Sequence, residues 1–485
     1  MSILLELQPE LLWKHFDDVR KIPRCSKHEE KIREHVVNFA KSHNLEYKED
    51  KIGNIVIKKP GSAGKENAPV TILQGHLDIV CEKDTNTVHD FDKDPIEVER
   101  DGDYITAKGT SLGADNGIGV AAALAALEST DLVHGPLECL FTVDEETGLT
   151  GAFQLQPDFL EGRCMLNMDS EEEGSIYVGC AGGSETTLTL PVTFVPAPKD
   201  ALPMKVSLSG LRGGHSGVDI HEQRGNAIKI LIRTLHAMAE NNKYYIGEIT
   251  GGSKRNAIPR EAYAMLMIDQ SDKGSFIDDI KNYEKALQDE YRPMEKDFHI
   301  VLEEDIDKIA NVLDDSHSRT VLHLIDGLPD GVLAMSYSIP DLVETSTNLA
   351  TVKTTEKEIV IGMLSRGSMD SSMKATEQHL ASIGALAGTK VEHSNFYPGW
   401  KANLDSKVLK YAQETYKELF GKDAEVKAIH AGLETGIIGV KFPGMDMISI
   451  GPQIENPHSP EERVQIPSVE NFWKFVNALL TRLAS

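Results

Sequence analysis

Short apolar runs alternate with amphipathic or Ala-rich stretches through the first third of the chain. Residues 70–73 (Val, Thr, Ile, Leu), 137–143 and 164–168 are nearly continuous in apolar side chains, which predicts strands covered on both faces. Residues 9–19 and 26–43 predict helices. The second carries Ile32, Val36, Phe39 and Ala40 on one stripe and a Ser26-x-x-Glu29 capping box at its start. Residues 45–59 predict a pair of short strands, and residues 60–68 a Gly, Pro and Lys loop. Residues 120–127, almost all Ala and Leu, predict a helix buried nearly all round. Strands and helices in this order predict an α/β fold with a doubly wound mixed sheet.

The pattern changes near residue 191. Pro196, Pro198 and Pro203 mark a linker, after which strands at 204–209 and 261–268 alternate with amphipathic helices at 224–239 and 276–290. A weaker echo follows, with strands at 345–352, 357–364 and 390–396 around a helix at 370–383. This predicts an inserted α+β domain, ferredoxin-like and duplicated, with a sheet covered on one face by helices. The first pattern resumes after Tyr397-Pro398-Gly399-Trp400, with a helix at 406–419, strands at 425–429 and 446–450 and a last helix at 469–483. The expected organisation is a catalytic domain over 1–195 and 399–485, interrupted by a lid over 196–398.

The length of 485 residues suits two domains. Fifty Lys and Arg against 76 Asp and Glu give a formal net charge of -26, which argues against nucleic acid and anionic membrane surfaces as partners. The N-terminus lacks the pattern of a secretory signal, so a cytoplasmic protein is expected. Five cysteines without a C-x-x-C pair then predict reduced structural thiols.

Candidate chemistry gathers where the apolar runs stop. The first run ends in Gly75-His76-Leu77-Asp78, the second in Asp144-Glu145-Glu146-Thr147-Gly148, and the third in Asp169. Asp115 sits among glycines in Gly113-Ala114-Asp115-Asn116-Gly117, just before the Ala-rich helix, and His458 follows the strand at 446–450. Taken singly, each has a plain alternative, Asp115 as a helix cap and His76 with Asp78 as a surface coincidence. The acidic run Glu171 to Glu173 reads as a solvated loop. Open α/β sheets place ligands at the C-terminal ends of their strands. Two imidazoles and several carboxylates collected there make the ligand set of two zinc-like ions, with manganese or cobalt not excluded.

The ordered motifs Gly-His-Leu-Asp, Gly-Ala-Asp-Asn-Gly, Glu-Glu-Thr-Gly, Met-Asp-Ser and Pro-His-Ser resemble those of the co-catalytic di-zinc exopeptidases, which include aminoacylases, tripeptidases and carnosinases. The resemblance spans essentially the whole chain. It implies that His76 and Asp169 hold one Zn2+, Glu146 and His458 the other, and that Asp115 bridges them. Asp78 would orient His76, and Glu145 would be the general base. In the lid, the resemblance implies that His215 of Gly213-Gly214-His215-Ser216-Gly217 stabilises the oxyanion, often from a partner subunit. Asn256 and Arg366 would hold the substrate's C-terminal end. His430 and Glu434, with Gly432, are pocket candidates, whereas His28, His89, His221 and His236 read as ordinary surface or satisfied histidines.

The expected activity is hydrolysis of Xaa-His dipeptides, β-alanyl-histidine included, by a cytoplasmic metallo-dipeptidase that forms a homodimer. The lid, longer than one ferredoxin-like unit, puts the usual dimer geometry in question. An N-acyl-amino-acid amidohydrolase on the same scaffold and a non-catalytic binding protein are the alternatives. No base motif accompanies Ser216 or any cysteine, which argues against a covalent nucleophile.

Overall fold

The apolar runs become the centre of an eight-stranded mixed sheet in the computed structural model, which describes residues 2–485. Its order is Glu46–Glu49, Ile55–Lys59, Leu137–Thr142, Thr71–His76, Cys164–Asn167, Asp446–Ser449, Ser175–Cys180, Glu425–Ile429. Thr71–His76 runs parallel to both neighbours, and Asp446–Ser449 runs parallel to Cys164–Asn167. Four adjacent strands therefore end on the same edge. Thr71–His76 and Leu137–Thr142 are buried at every position, which explains their unbroken apolar pattern.

The helix Ala114–Glu128 packs on Thr71–His76, and its small residues permit the close approach. A Cβ at Gly119 would lie 2.5 Å from the side chain of Asn116 and from the carbonyl oxygen of Met168, so only glycine fits there. A small four-stranded antiparallel sheet, in the order Ile454–Glu455, Arg463–Gln465, Tyr104–Ala107, Val98–Asp101, completes this unit. It fixes the loop that carries His458 between its first two strands.

The second unit is built on a nine-stranded antiparallel sheet. Ala201–Ser209, Tyr244–Gly251, Ala262–Asp269 and His299–Glu303, with helices Ala227–Ala239 and Lys273–Tyr291, form one βαββαβ module. Its spatial order is fourth, first, third, second strand, the ferredoxin-like arrangement. Gly182–Pro191, Val343–Thr354, Glu358–Gly367 and Lys390–Tyr397, with helices Asp315–Gly327 and Asp370–Ala387, repeat that order. The modules join where Tyr244–Gly251 pairs antiparallel with Val343–Thr354. The first is an insertion in the second, its entry and exit closed by the pairing of Phe194–Pro196 with Asn311–Leu313. Each unit has its own large hydrophobic core.

Three expectations need correction. The first unit runs to Cys180 and resumes over Trp400–Ala428 and Leu433–Ser485, so the boundary falls before 181 and not after 195. The reason is that Gly182–Pro191 hydrogen-bonds within the second sheet, between Glu358–Gly367 and Lys390–Tyr397. Cys25 and Cys81 form a disulfide, while Cys139, Cys164 and Cys180 are free. A backbone bridge between Cys25 and Ile79 brings the two cysteine Cα atoms within 5.7 Å, a proximity created by the fold and invisible to spacing. Finally, Ser26 does not cap a helix: the helix is Glu30–Ser42, and the Ser26 hydroxyl donates to Asp78 Oδ2 at 2.8 Å.

Candidate active site

Each strand that ends on the common edge delivers polar residues there. His76 is the last residue of its strand, Asp169 lies two residues beyond Cys164–Asn167, and Glu145 and Glu146 follow Leu137–Thr142. Asp115 comes from the turn at the start of Ala114–Glu128, where its backbone and that of Asn116 are not yet helical. His458 sits in left-handed backbone, φ 59°, which is uncommon outside glycine and frequent at functional positions.

These residues converge. His76 Nε2 lies 3.1 Å from Asp115 Oδ1 and 3.2 Å from Asp169 Oδ1. His458 Nε2 lies 3.0 Å from Asp115 Oδ2 and 3.1 Å from Glu146 Oε2. Two groups with metal-ligating geometry result, His76–Asp115–Asp169 and Asp115–Glu146–His458, and they share Asp115 through its two different oxygens. Glu145 forms a further close group with His76 and Glu146.

The electrostatics show how strongly the groups of the cluster act on one another. Burial alone would lower the His458 imidazole, but Asp115 and Glu146 hold it up to about 11. Burial opposes protonation of His76 too, and Asp169, Asp115 and Asp78 outweigh it, so its pKa lies well above the ordinary value. Asp115, which burial would raise, is held far below the usual carboxylate range by the two imidazoles. Burial pushes Asp169 up to about 6, helped by Asp115 and Glu146. Glu145 is raised well above its ordinary value by burial and by the charges of Glu146 and Asp169.

Protons on the imidazoles thus occupy the place of cations among crowded carboxylates. Glu146 Oε1 is buried without a hydrogen bond. Both the donor set and this orphaned oxygen fit a pair of divalent metal ions.

Asp78 has a wider part than orienting one ring. The His76 Nδ1 hydrogen bond, at 3.2 Å, goes to the Asp78 backbone carbonyl, with carboxylate Oδ1 at 3.5 Å. The carboxylate itself accepts from the backbone N–H groups of Glu145, at 3.0 Å, and Glu146, at 3.2 Å, besides Ser26. One buried carboxylate therefore ties the strand end that bears His76 to the loop that bears Glu145 and Glu146. The expectation of a solvated 171–173 loop also changes, because Glu171 is partly buried and raised well above its ordinary value by burial and by Asp115.

Several supporting residues escaped sequence reasoning. Arg24 is buried and donates to the carbonyl oxygens of Leu77, Asp78 and Gly113. Glu434 is not a pocket wall but fully buried, accepting from Gln74 Nε2 at 2.6 Å and Thr142 Oγ1 at 2.7 Å. Asn167 Nδ2 in turn donates to Gln74 Oε1 at 2.5 Å. A signal existed: Gln74 and Asn167 stand two residues before His76 and Asp169, polar side chains inside apolar strands.

In the second unit, His215 Nδ1 accepts from the backbone N–H groups of Gly217, at 3.2 Å, and Val218, at 3.1 Å. Arg366 is only 4% exposed, yet no carboxylate pairs with it among the described residues. Its guanidinium reaches Tyr397 Oη at 2.9 Å, Ser216 Oγ at 3.4 Å and His215 Nε2 at 3.4 Å. Asn256 is exposed, and its carbonyl accepts from Ser216 N, which sets it beside this group. Gly432 makes room for Tyr397, whose ring would lie 2.9 Å from an added Cβ. Tyr397, expected only as linker, and His430, whose Nε2 lies 2.7 Å from Ser346 Oγ, complete the cluster. Burial, then the charge of Arg366, lowers His430 to about 3.

Comparison with known proteins identifies the lineage. The sequence pattern of peptidase family M20/M25/M40 matches residues 72–482. This chain belongs to that family. The M20 peptidase described here is 42% identical over 484 residues to the cytosol non-specific dipeptidase of Escherichia coli (strain K12), covering 100% of this chain and 99% of that protein. It is 40% identical to the aminoacylhistidine dipeptidase from Vibrio alginolyticus, whose crystal structure superposes with a TM-score of 0.89 over 99% of this chain and 98% of that one. Aminopeptidase PepT from Bacillus cereus shares the fold, with a TM-score of 0.58, 16% identity and coverage of 99% and 100%.

Proposed function

We propose that this M20 peptidase is a metal-dependent dipeptidase of the cytoplasm, that it takes two Zn2+, and that it cleaves Xaa-His dipeptides, β-alanyl-histidine included. The observation that carries the metal reading is the pair of ligand groups sharing Asp115. His76 and Asp169 would hold one ion, Glu146 and His458 the other, with Asp115 between them; Mn2+ or Co2+ suits the same donors. When bound, such ions supply Lewis-acid activation of the attacking water and of the scissile carbonyl.

This chain's residues do the rest. Glu145, within the group formed with His76 and Glu146, takes the proton of the attacking water and delivers it to the leaving amine. Asp78 holds the Glu145 and Glu146 backbones in place. No acyl-enzyme is needed. Ser216 has a guanidinium against its hydroxyl, which speaks against it as a nucleophile.

Arg366 accounts for recognition of a free C-terminus. A buried guanidinium without an acid is a site for a carboxylate, and Tyr397 orients it. His215, its Nδ1 accepting two backbone N–H groups, keeps its proton on Nε2, the form that donates to an oxyanion. Asn256 and Gly432 border this group.

The names of the two full-length relatives, one non-specific and one aminoacylhistidine, make selectivity the point to test. The assay is hydrolysis of Xaa-His, Xaa-Ala and β-alanyl-histidine dipeptides beside N-acetylamino acids. Cleavage of Xaa-His with the highest kcat/KM supports the proposal. Cleavage of N-acetylamino acids alone would establish the amidohydrolase instead.

A further inference from the structure

A single buried carboxylate outside the ligand set grips the turn that presents Asp115. Glu462 lies four residues after His458 and is 2% exposed. Its Oε2 accepts from Leu112 N at 2.7 Å and Gly113 N at 2.8 Å, and its Oε1 from Ala114 N at 2.7 Å and Asp115 N at 3.2 Å. Four consecutive backbone N–H groups thus point at one side chain. Gly113, at φ 69°, supplies the left-handed step that turns them to a common side, as in anion-binding nests. Arg24 holds the opposite side of the turn through the Gly113 carbonyl at 2.5 Å.

The two ligands concerned come from distant parts of the chain. His458 belongs to the loop between Ile454–Glu455 and Arg463–Gln465, while Asp115 belongs to the turn before Ala114–Glu128. Their side chains nevertheless stand 3.0 Å apart. Glu462, in the same loop as His458, joins that loop to the Asp115 turn through four backbone N–H groups.

We infer that Glu462 is the positioning residue of the metal centre, the clamp that sets the Asp115 turn against the His458 loop. This rests on the reading of Asp115 and His458 as metal ligands. Glu462 touches neither substrate nor reacting atoms, so it acts through the geometry of the shared carboxylate. Glu462→Gln keeps the shape but sets an amide N–H₂ against backbone donors, and Glu462→Asp keeps the charge on a shorter stem.

The test measures metal stoichiometry, metal affinity by chelator competition, thermal midpoint, and kcat and KM on a dipeptide for the full chain. The variants are Glu462→Gln, Glu462→Asp and the exposed neighbour Glu461→Gln as control. Removing such a supporting partner is expected to weaken metal binding about 10–100-fold in Glu462→Gln. Its kcat falls at limiting metal with KM near the wild-type value, and excess metal restores turnover. Glu462→Asp falls between, and Glu461→Gln matches wild type.

Folded Glu462→Gln with wild-type metal affinity and kcat, even at a lowered thermal midpoint, would overturn the inference. If that variant does not fold, wild-type affinity in Glu462→Asp overturns it equally. A wild-type protein that binds no ions would instead sink the metal reading itself, and the clamp with it.

Discussion

Buried charge is arranged in opposite senses in the two units. In the first, Asp115, Glu145, Glu146, Asp169 and Glu171 crowd together, and protons are drawn onto both imidazoles among them. In the second, the Arg366 guanidinium is buried with hydroxyls and a ring nitrogen around it and no acid in an ion pair, among the described residues. An uncompensated buried charge is costly, so each arrangement favours a partner of the opposite sign. On the proposed function, one unit would hold cations and the other an anion. A dipeptidase needs both, metal ions to activate water and a fixed cation for the substrate carboxylate.

The comparison breaks most sharply at the proton carrier. Glu145→Gln is expected to lower kcat by about 10²–10⁴-fold, the usual worth of a general base, while two metal ions stay bound. Activity retained in this variant would contradict the assignment of Glu145. On the anion side, Arg366→Met removes a charged hydrogen bond and should lower kcat/KM about 10–100-fold. Amidating the substrate's C-terminus should cost wild type a similar factor and the variant almost nothing. An equal loss in both would mean that Arg366 does not face that carboxylate.

Tyr397→Phe sharpens the same point at smaller size. Loss of one of the hydrogen bonds that orient the Arg366 guanidinium should cost about 2–10-fold in kcat/KM, with kcat least affected. On the cation side, metal must compete with protons at His76 and His458, both raised by the carboxylates around them, His458 to about 11. Binding at pH 7 is therefore expected to release protons, and affinity to rise as pH rises. Calorimetry in two buffers of different ionisation enthalpy reads this directly, and a buffer-independent heat would count against it.

The two units also differ in how much of them could be read from residues alone. In the first, apolar strands end directly in their functional residues, so His76, Asp115, Glu145, Glu146, Asp169 and His458 could be picked out and are found together. Glu462 and Arg24 could not be, and Glu434 was legible only as a pocket candidate, because their partners are backbone atoms or residues hundreds of positions away. The Cys25–Cys81 disulfide escaped because only the fold brings its two cysteines, 56 residues apart, together.

In the second unit, the duplicated strand and helix order was visible as a pattern. Its first boundary was not, since prolines 196, 198 and 203 mark the entry to the inner module and not the unit's true beginning at Ala181. Tyr397 looked like linker because Lys390–Tyr397 is an exposed edge strand with little apolar pattern, though its last hydroxyl meets Arg366.

The central claim is that the crowded carboxylates of the first unit exist to hold two catalytic ions. It is tested most directly by stripping the protein of metal and following Xaa-His hydrolysis as Zn2+ is added back. Activity absent in the stripped protein and complete at two ions per chain is the predicted result. Full hydrolysis by the metal-free protein, or saturation without any bound ion, would contradict it.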